Sequence, residues 1–342
     1  MNQRINELLT DFRSGFLTRR GFLAKAGAFG VSAAAASALI DQGEASAAVD
    51  SPADVLSGRI SSGRWEVVDL SVTTAENHPT NWPTDPLFHV VPMTWFDRIP
   101  GPNGSNSGAV EASVAAVQRY EITEHTGTQM DFPPHFIPPP GVSVDGAPSN
   151  EYGRKTGDKF ELTEFFGPAV VVDVRELLEA HTQPGTSARI TPDWLRSWER
   201  RHGRIGEGEV PMWFSGYTDR YYRRFPENDR FQDRMLWKPL VEKSEPGWVA
   251  AHPDTVEMLH ERGVRHVVTD GPSFGAADDG QGPHVAGLQY GMSYTENAIN
   301  LGKLPVRGAF YIAAPYKVAD QQAAIARAFA IKSADVPGIL DA

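Results

Sequence analysis

The sequence predicts a single α/β domain behind a short N-terminal leader. Three observations carry this. Runs of strand-like and helix-like residues alternate loosely along the chain. Apolar residues make up 41% and charged residues 22% of the 342 positions, close to ordinary globular composition, so a packed core is available. No internal repeat and no second linker is visible between residues 48 and 342.

The elements follow in order. Residues 48 to 64 read as an exposed lead-in. Trp65 to Ser71 is expected to be a strand, from its Val67-Val68 core. Thr73 to Pro86, rich in Pro, Asn and Thr, is expected to be loop, as is Gly101 to Gly108, a candidate lid. Tyr120 to Thr123 and the valine-rich Pro168 to Val174 are expected strands. Thr191-Pro192-Asp193 opens a helix, with Thr as N-cap and Pro at the first helical position, and Gly203 ends it after His202. Val210 to Phe214 is the next strand. A helix from His252-Pro253 to Arg262 is stopped by Gly263, and strands follow at Val264 to Thr269 and Gly308 to Ala314.

Composition excludes several functions. The net charge of -11, with no basic stripe, argues against nucleic acid as partner, because phosphate recognition needs clustered Lys and Arg. With no cysteine there is no disulfide framework, no thiolate nucleophile and no sulfur ligand for zinc. Any metal must be held by His, carboxylate or amide oxygen.

The leader is expected to span residues 1–47. Thr18-Arg19-Arg20-Gly21-Phe22-Leu23, with Lys25, has the form of a twin-arginine export signal. An uncharged Ala/Gly-rich stretch from Ala26 to Ile40 follows, then the small-residue exit Ala45-Ser46-Ala47. The stretch is too short to cross a bilayer, so an integral membrane protein is not expected. The implied transient partner is the twin-arginine translocase, and the implied location is periplasmic or secreted. That route carries proteins folded before export, which suits a metal loaded beforehand.

Chemistry concentrates in Glu124 to His135. His125, Gln129, Asp131 and His135 fall within eleven residues. Gly127 permits a tight turn and Pro133-Pro134 forces extension, so the bent segment can aim His125, Gln129 and Asp131 at one point. Mixed nitrogen and oxygen donors suit a borderline or hard divalent cation. The bland alternative is a loop with a hydrogen-bonded His and Asp. Downstream, His284 and Glu296 stand apart only as a surface His and a helix-cap Glu when read alone. Trp82, Trp95, Phe96, Phe132, Phe136 and Trp213 are candidates for pocket walls or for plain core; Phe132, Phe136 and Trp82 are the substrate-binding candidates. His78 and His89 lie where they could reach a site. His181, His202, His252, His260 and His266 are expected at helix ends or surfaces.

These segments together resemble the cyclase family of metal-dependent hydrolases, which has a kynurenine formamidase-like fold. Its mark, His-x-Gly-Thr-His-x-Asp-x-Pro-x-His, stands here from His125 to His135, with Gln129 in place of the second His. Val68-Asp69-Leu70-Ser71, Asp270-Gly271-Pro272-Ser273, and His284 with Glu296 and Asn297 extend the likeness over about Trp65 to Lys317. The resemblance implies a compact α/β domain with a mixed, partly barrel-like sheet and flanking helices, assembled as a dimer or tetramer. It implies that His125, Gln129 and Asp131 face a first metal, that Asp131 and Glu296 bridge to a second with His284 as terminal ligand, and that His135 is the acid/base group. One or two ions, manganese or zinc, are the implied cofactor. A Gln oxygen in place of an imidazole moves the preference towards Mn²⁺ or Mg²⁺.

The implied reaction is opening of a small amide or lactam by activated water. The rival readings are a lactone or ester hydrolase on the same fold, and a metal-holding binding protein that has lost catalysis.

Overall fold

The computed structural model describes residues 3–13, 17, 19–29, 31–32, 36, 52–106 and 108–341. The chain divides into two units, Met1–Glu66 and Val67–Ala342. In the first, helices span Gln3–Arg13, Arg19–Ala28 and Pro52–Ser61. Ile5, Leu8, Leu9, Phe22, Ala26 and Ala36 form its buried cluster. Part of the expected lead-in is therefore helical. The expected exit Ala45-Ser46-Ala47 lies outside the described residues, as do Thr18 and residues 37–40. Among the described residues no helix is long and apolar enough to cross a membrane.

The strands are β1 (Trp65–Asp69), β2 (His89–Trp95), β3 (Glu111–Ala112), β4 (Val117–Glu121), β5 (Gln129–Asp131), β6 (Phe166–Asp173), β7 (Arg189–Ile190), β8 (Val210–Phe214), β9 (Ala250–Ala251), β10 (His266–Thr269), β11 (Ser293–Glu296), β12 (Arg307–Pro315) and β13 (Ala323–Ser333). The main sheet runs β1-β13-β12-β6-β8-β10-β11-β5, and β5 also pairs with β13. That extra pairing closes seven strands into a barrel-like ring, with β1 as an outer edge. The β6, β8, β10 and β11 contacts are parallel, and the rest of the ring is antiparallel. The mixed α/β architecture expected from the sequence is the one observed.

Side-chain alternation sorts the core into two layers. Val171, Met212, Val268, Tyr311, Ala324, Ala328 and Met130 belong to one cluster, filling the ring. Val170, Val172, Trp213 and Val267 face the other way and pack against Leu195, Trp198, Val256 and Leu259 of the helices Pro192–His202 and Pro253–Glu261. Both faces of β6 are thus covered, which is why it reads as an unbroken valine run. Thr191 caps the first helix by accepting from the Trp194 N–H, and Gly203, at φ +88°, ends it.

Two expectations need correction. His266 is not at a surface; it is buried in β10, bonded to Ser293 Oγ at 2.8 Å and Thr295 Oγ1 at 2.9 Å. These hydroxyls satisfy both ring nitrogens, which lets the core accept an imidazole. Trp213 is core, not pocket wall, because alternation along β8 turns it towards the helices. Trp95 and Phe96 are exposed in and just after β2, which pairs with β3 and β4 in a separate small sheet.

Candidate metal centre and active site

The site forms where β5 lies against β11. These strands are antiparallel, with Gln129 opposite Glu296 and Asp131 opposite Tyr294. A period of two puts Gln129, Asp131 and Glu296 on one face and Met130 on the other. Gly127 makes the turn that feeds β5. Its φ is +67°, and a Cβ there would lie 2.7 Å from Thr74 Oγ1, so only glycine brings His125 round to this face. His284 arrives from the helix Gln281–Leu288.

Asp131 is the hub. It is fully buried, and three imidazoles surround it: His125 Nδ1 at 3.4 Å from Oδ1, His284 Nε2 at 3.2 Å and His135 Nε2 at 3.8 Å from Oδ2. His284 Nε2 also lies 3.1 Å from Glu296 Oε1. Among the described residues, two groups have ligand atoms within 4.8 Å of one another: His125, Asp131 and His135, and Asp131, His284 and Glu296. They share Asp131.

Electrostatics follow from this crowding. Burial would raise Asp131, but His135, His125 and His284 hold it well below the usual carboxylate range. Burial, and then Asp131, push Glu296 up. Burial opposes charge on His284 and His125, yet the neighbouring carboxylates lift them to about 10 and about 9. His135 goes the other way, to about 4, because burial and the two other imidazoles outweigh Asp131.

The donor set fits a divalent cation. Asp131 Oδ1 is buried and, among the described residues, makes no well-formed hydrogen bond, its nearest imidazole nitrogen, His125 Nδ1, standing 3.4 Å away; a cation between them would satisfy the oxygen. His284 Nδ1 lies 2.5 Å from the Gly280 carbonyl, so it carries the proton and donates. In the charged ring, Nε2 donates to Asp131 and Glu296, and a divalent cation there would take the place of that proton. Oxygen and imidazole donors match manganese, zinc or magnesium chemistry.

Gln129 departs from expectation. Its amide nitrogen, not its carbonyl oxygen, faces the site: Nε2 lies 2.7 Å from Glu296 Oε2 and 3.1 Å from His125 Nδ1. A buried carboxylate needs a donor opposite it, and the amide supplies one. Gln129 therefore stands as a donor to Glu296, with His125 Nδ1 beside the same nitrogen.

A cavity of about 260 Å³ opens onto these groups, with Gln129, His125, His135, His284 and Glu296 among its lining. Trp82 and Phe136 line it too, and Phe136 stacks on His284 with ring centres 4.4 Å apart. Phe132 does not reach the cavity. It shares the inner face with Met130, at 0% exposure against Phe160 and Phe165, so its expected substrate role is corrected. The described residues of the Gly101 to Gly108 loop do not line the cavity, nor do His78 and His89.

Sequence reasoning missed Asp85 and Asn81, which also line it, and gave no site role to Ser273 and Asn297, which do as well. Asn297 was visible only as a neighbour of Glu296. At φ +59° it donates from Nδ2 to the Gly127 carbonyl at 3.2 Å and accepts from Thr218 Oγ1 at 3.0 Å, tying the end of β11 to the His125 turn. Asp270 lies behind the cavity, accepting from Ser215 and Gly216, and burial pushes it up to about 7.

The Cyclase family model matches residues 68–276. The chain belongs to the cyclase family. This cyclase-family chain is 26% identical over 202 residues to the isatin hydrolase of Roseibium aggregatum, across 58% of its own length and 67% of that protein. Isatin hydrolase A from Ralstonia solanacearum has the same fold, at TM-score 0.63 and 21% identity, over 84% of this chain and 100% of that one. An isatin hydrolase bound to the product analogue thioisatinate gives 0.62 and 21%, over 85% and 100%.

Proposed function

We propose that the protein is a metal-dependent hydrolase that opens a small amide, most directly a cyclic amide, by attack of water. The observation that carries this reading is the buried oxygen Oδ1 of Asp131, which makes no well-formed hydrogen bond among the described residues and is set between two groups of candidate ligand side chains beneath a cavity. The likeness to isatin hydrolase, 26% identical over the matched region, supports a lactam as the bond opened.

Asp131, His125, His284 and Glu296 are the residues that would hold the ion, with His135 at the margin of the first group. When bound, a divalent cation supplies Lewis-acid chemistry, polarising a carbonyl and making water more acidic. The chain's own residues do the rest. His135 Nε2 receives a proton from the attacking water and returns it to the departing nitrogen. The C–N bond breaks as the new C–O bond completes, leaving a carboxylate and an amine. Phe136 holds His284 in plane, and Trp82 and Phe136 offer apolar walls to a flat ring. Gln129 donates to Glu296 and keeps it oriented. The Arg19-Arg20 leader assigns the same reading to an exported enzyme, whose accumulation outside the cytoplasm a paired Arg19→Lys, Arg20→Lys variant is expected to abolish in fractionated cells.

The test is turnover of a small panel by the purified chain, with metal content measured alongside. A benzo-fused lactam such as isatin, an N-formyl anilide and a lactone of matched ring size separate the choices. Metal-dependent release of acid and amine from the lactam is expected. Turnover confined to the lactone would move the assignment to C–O bonds, and no turnover with metal bound would favour a binding protein.

A further inference from the structure

The cavity is also lined by a carboxylate remote in sequence from the ligand groups, Asp85. Asp85 closes the turn that begins at Trp82, its N–H donating to the Trp82 carbonyl at 3.0 Å. Both residues line the cavity. The Asp85 carboxylate accepts from Thr123 Oγ1 at 3.3 Å, and no ion pair is formed by it among the described residues. Among the described residues no Lys or Arg lines the cavity. Trp82, 36% exposed, stands edge-on to Trp248 with ring centres 6.4 Å apart, which fixes the plane of its indole.

Charge bookkeeping decides what such a cavity accepts. The carboxylates of Asp131 and Glu296 are offset by a divalent cation at the ligand groups. Among the described residues Asp85 has no such counter-charge, so its carboxylate leaves the cavity one negative charge. A substrate with a remote anionic group meets repulsion there, whereas a protonated amine meets the carboxylate and the indole face together.

We propose that Asp85 is a specificity-determining residue that selects substrates carrying an ammonium group. The bond itself rests on the function proposed above; the amine subsite does not. Trp82 supplies the face over which the ammonium sits, and Thr123 fixes the Asp85 carboxylate.

Calorimetric titration of the purified chain with benzylammonium and with benzyl alcohol reads this without any turnover. The ammonium is expected to bind about tenfold more tightly than the alcohol, the scale of one partly exposed ion pair with a cation–π contact. Asp85→Asn is expected to bring the two affinities together, and Asp85→Glu to restore most of the difference. Equal affinities in the wild type, a preference that survives in Asp85→Asn, or failure of both probes to bind would overturn the proposal. An Asp85-dependent preference in a chain that hydrolyses none of the panel would leave the subsite standing and defeat the hydrolase reading instead.

Discussion

The Gln129 amide nitrogen lies 2.7 Å from Glu296 Oε2, directly across the ladder that pairs β5 with β11. The same nitrogen is 3.1 Å from His125 Nδ1, so one neutral side chain braces a carboxylate and stands beside an imidazole. Where the family pattern has a nitrogen ligand, this protein has a hydrogen-bond donor.

That difference is testable. Gln129→His adds an imidazole beside His125 and Glu296, and imidazole favours zinc over harder ions. Zinc affinity, measured by competition with a chelating dye, is expected to rise by at least about tenfold. An unchanged affinity would mean that position 129 does not face the ion.

Asp131 and His135 are expected to separate binding from turnover. Asp131 belongs to both ligand groups, so Asp131→Asn should reduce metal content to background in elemental analysis. His135→Ala should retain metal and lose about 10²–10⁴-fold in kcat, the usual worth of a positioned acid/base group. Loss of metal in His135→Ala would reassign it as a ligand, a role its 3.8 Å approach to Asp131 also permits.

His266 should set part of the acid limit of stability. Burial pushes its folded value down to about 3, while the unfolded ring titrates near 6.5. A base depressed in the folded state contributes stability that is present above about pH 6.5 and is lost as pH falls towards about 3. Melting temperature is therefore expected to fall steadily over that window. His266→Gln, which cannot titrate, should flatten the slope while lowering stability at neutral pH. An identical slope in the variant would place the acid sensitivity elsewhere.

Gly157 reports on the inner face that claims Phe132. A Cβ there would lie 2.2 Å from the Phe132 ring and 2.6 Å from Gln321 Nε2. Gly157→Ala should cost about 1–3 kcal/mol in denaturant unfolding, as overpacked cores do. A cost near zero would show that the Phe132 ring moves freely, contrary to its tight packing.

Much of this protein was legible in one dimension. The boundaries of the helix from Pro192 to His202 follow from a cap, a proline and a glycine, all local signals. The valine-rich β6 follows from its β-branched run, and Val210 to Phe214 from a short apolar, aromatic stretch. The segment with the candidate ligands showed itself because His125, Asp131 and His135 are close in sequence, and the resemblance to the family motif drew in His284 and Glu296. Other features required the fold. The strand β13, built on alanines, carries little strand signal of its own, and only its partners β12 and β5 make it a strand. Phe132 and Phe136 look alike in sequence, but the pleat sends the first into the barrel, while the chain beyond the two prolines returns the second to the cavity. His266 seemed a surface residue until two hydroxyls from β11 satisfied it. Asp85 gave no signal at all, because a carboxylate in a loop gains meaning only from what faces it. Local elements and the candidate ligand segment from His125 to His135 could be read along the chain, since both depend on near neighbours in sequence. Tertiary structure alone decided the orientation of Gln129, the fate of Phe132 and the charge left in the cavity, because each depends on pairing between segments far apart in sequence.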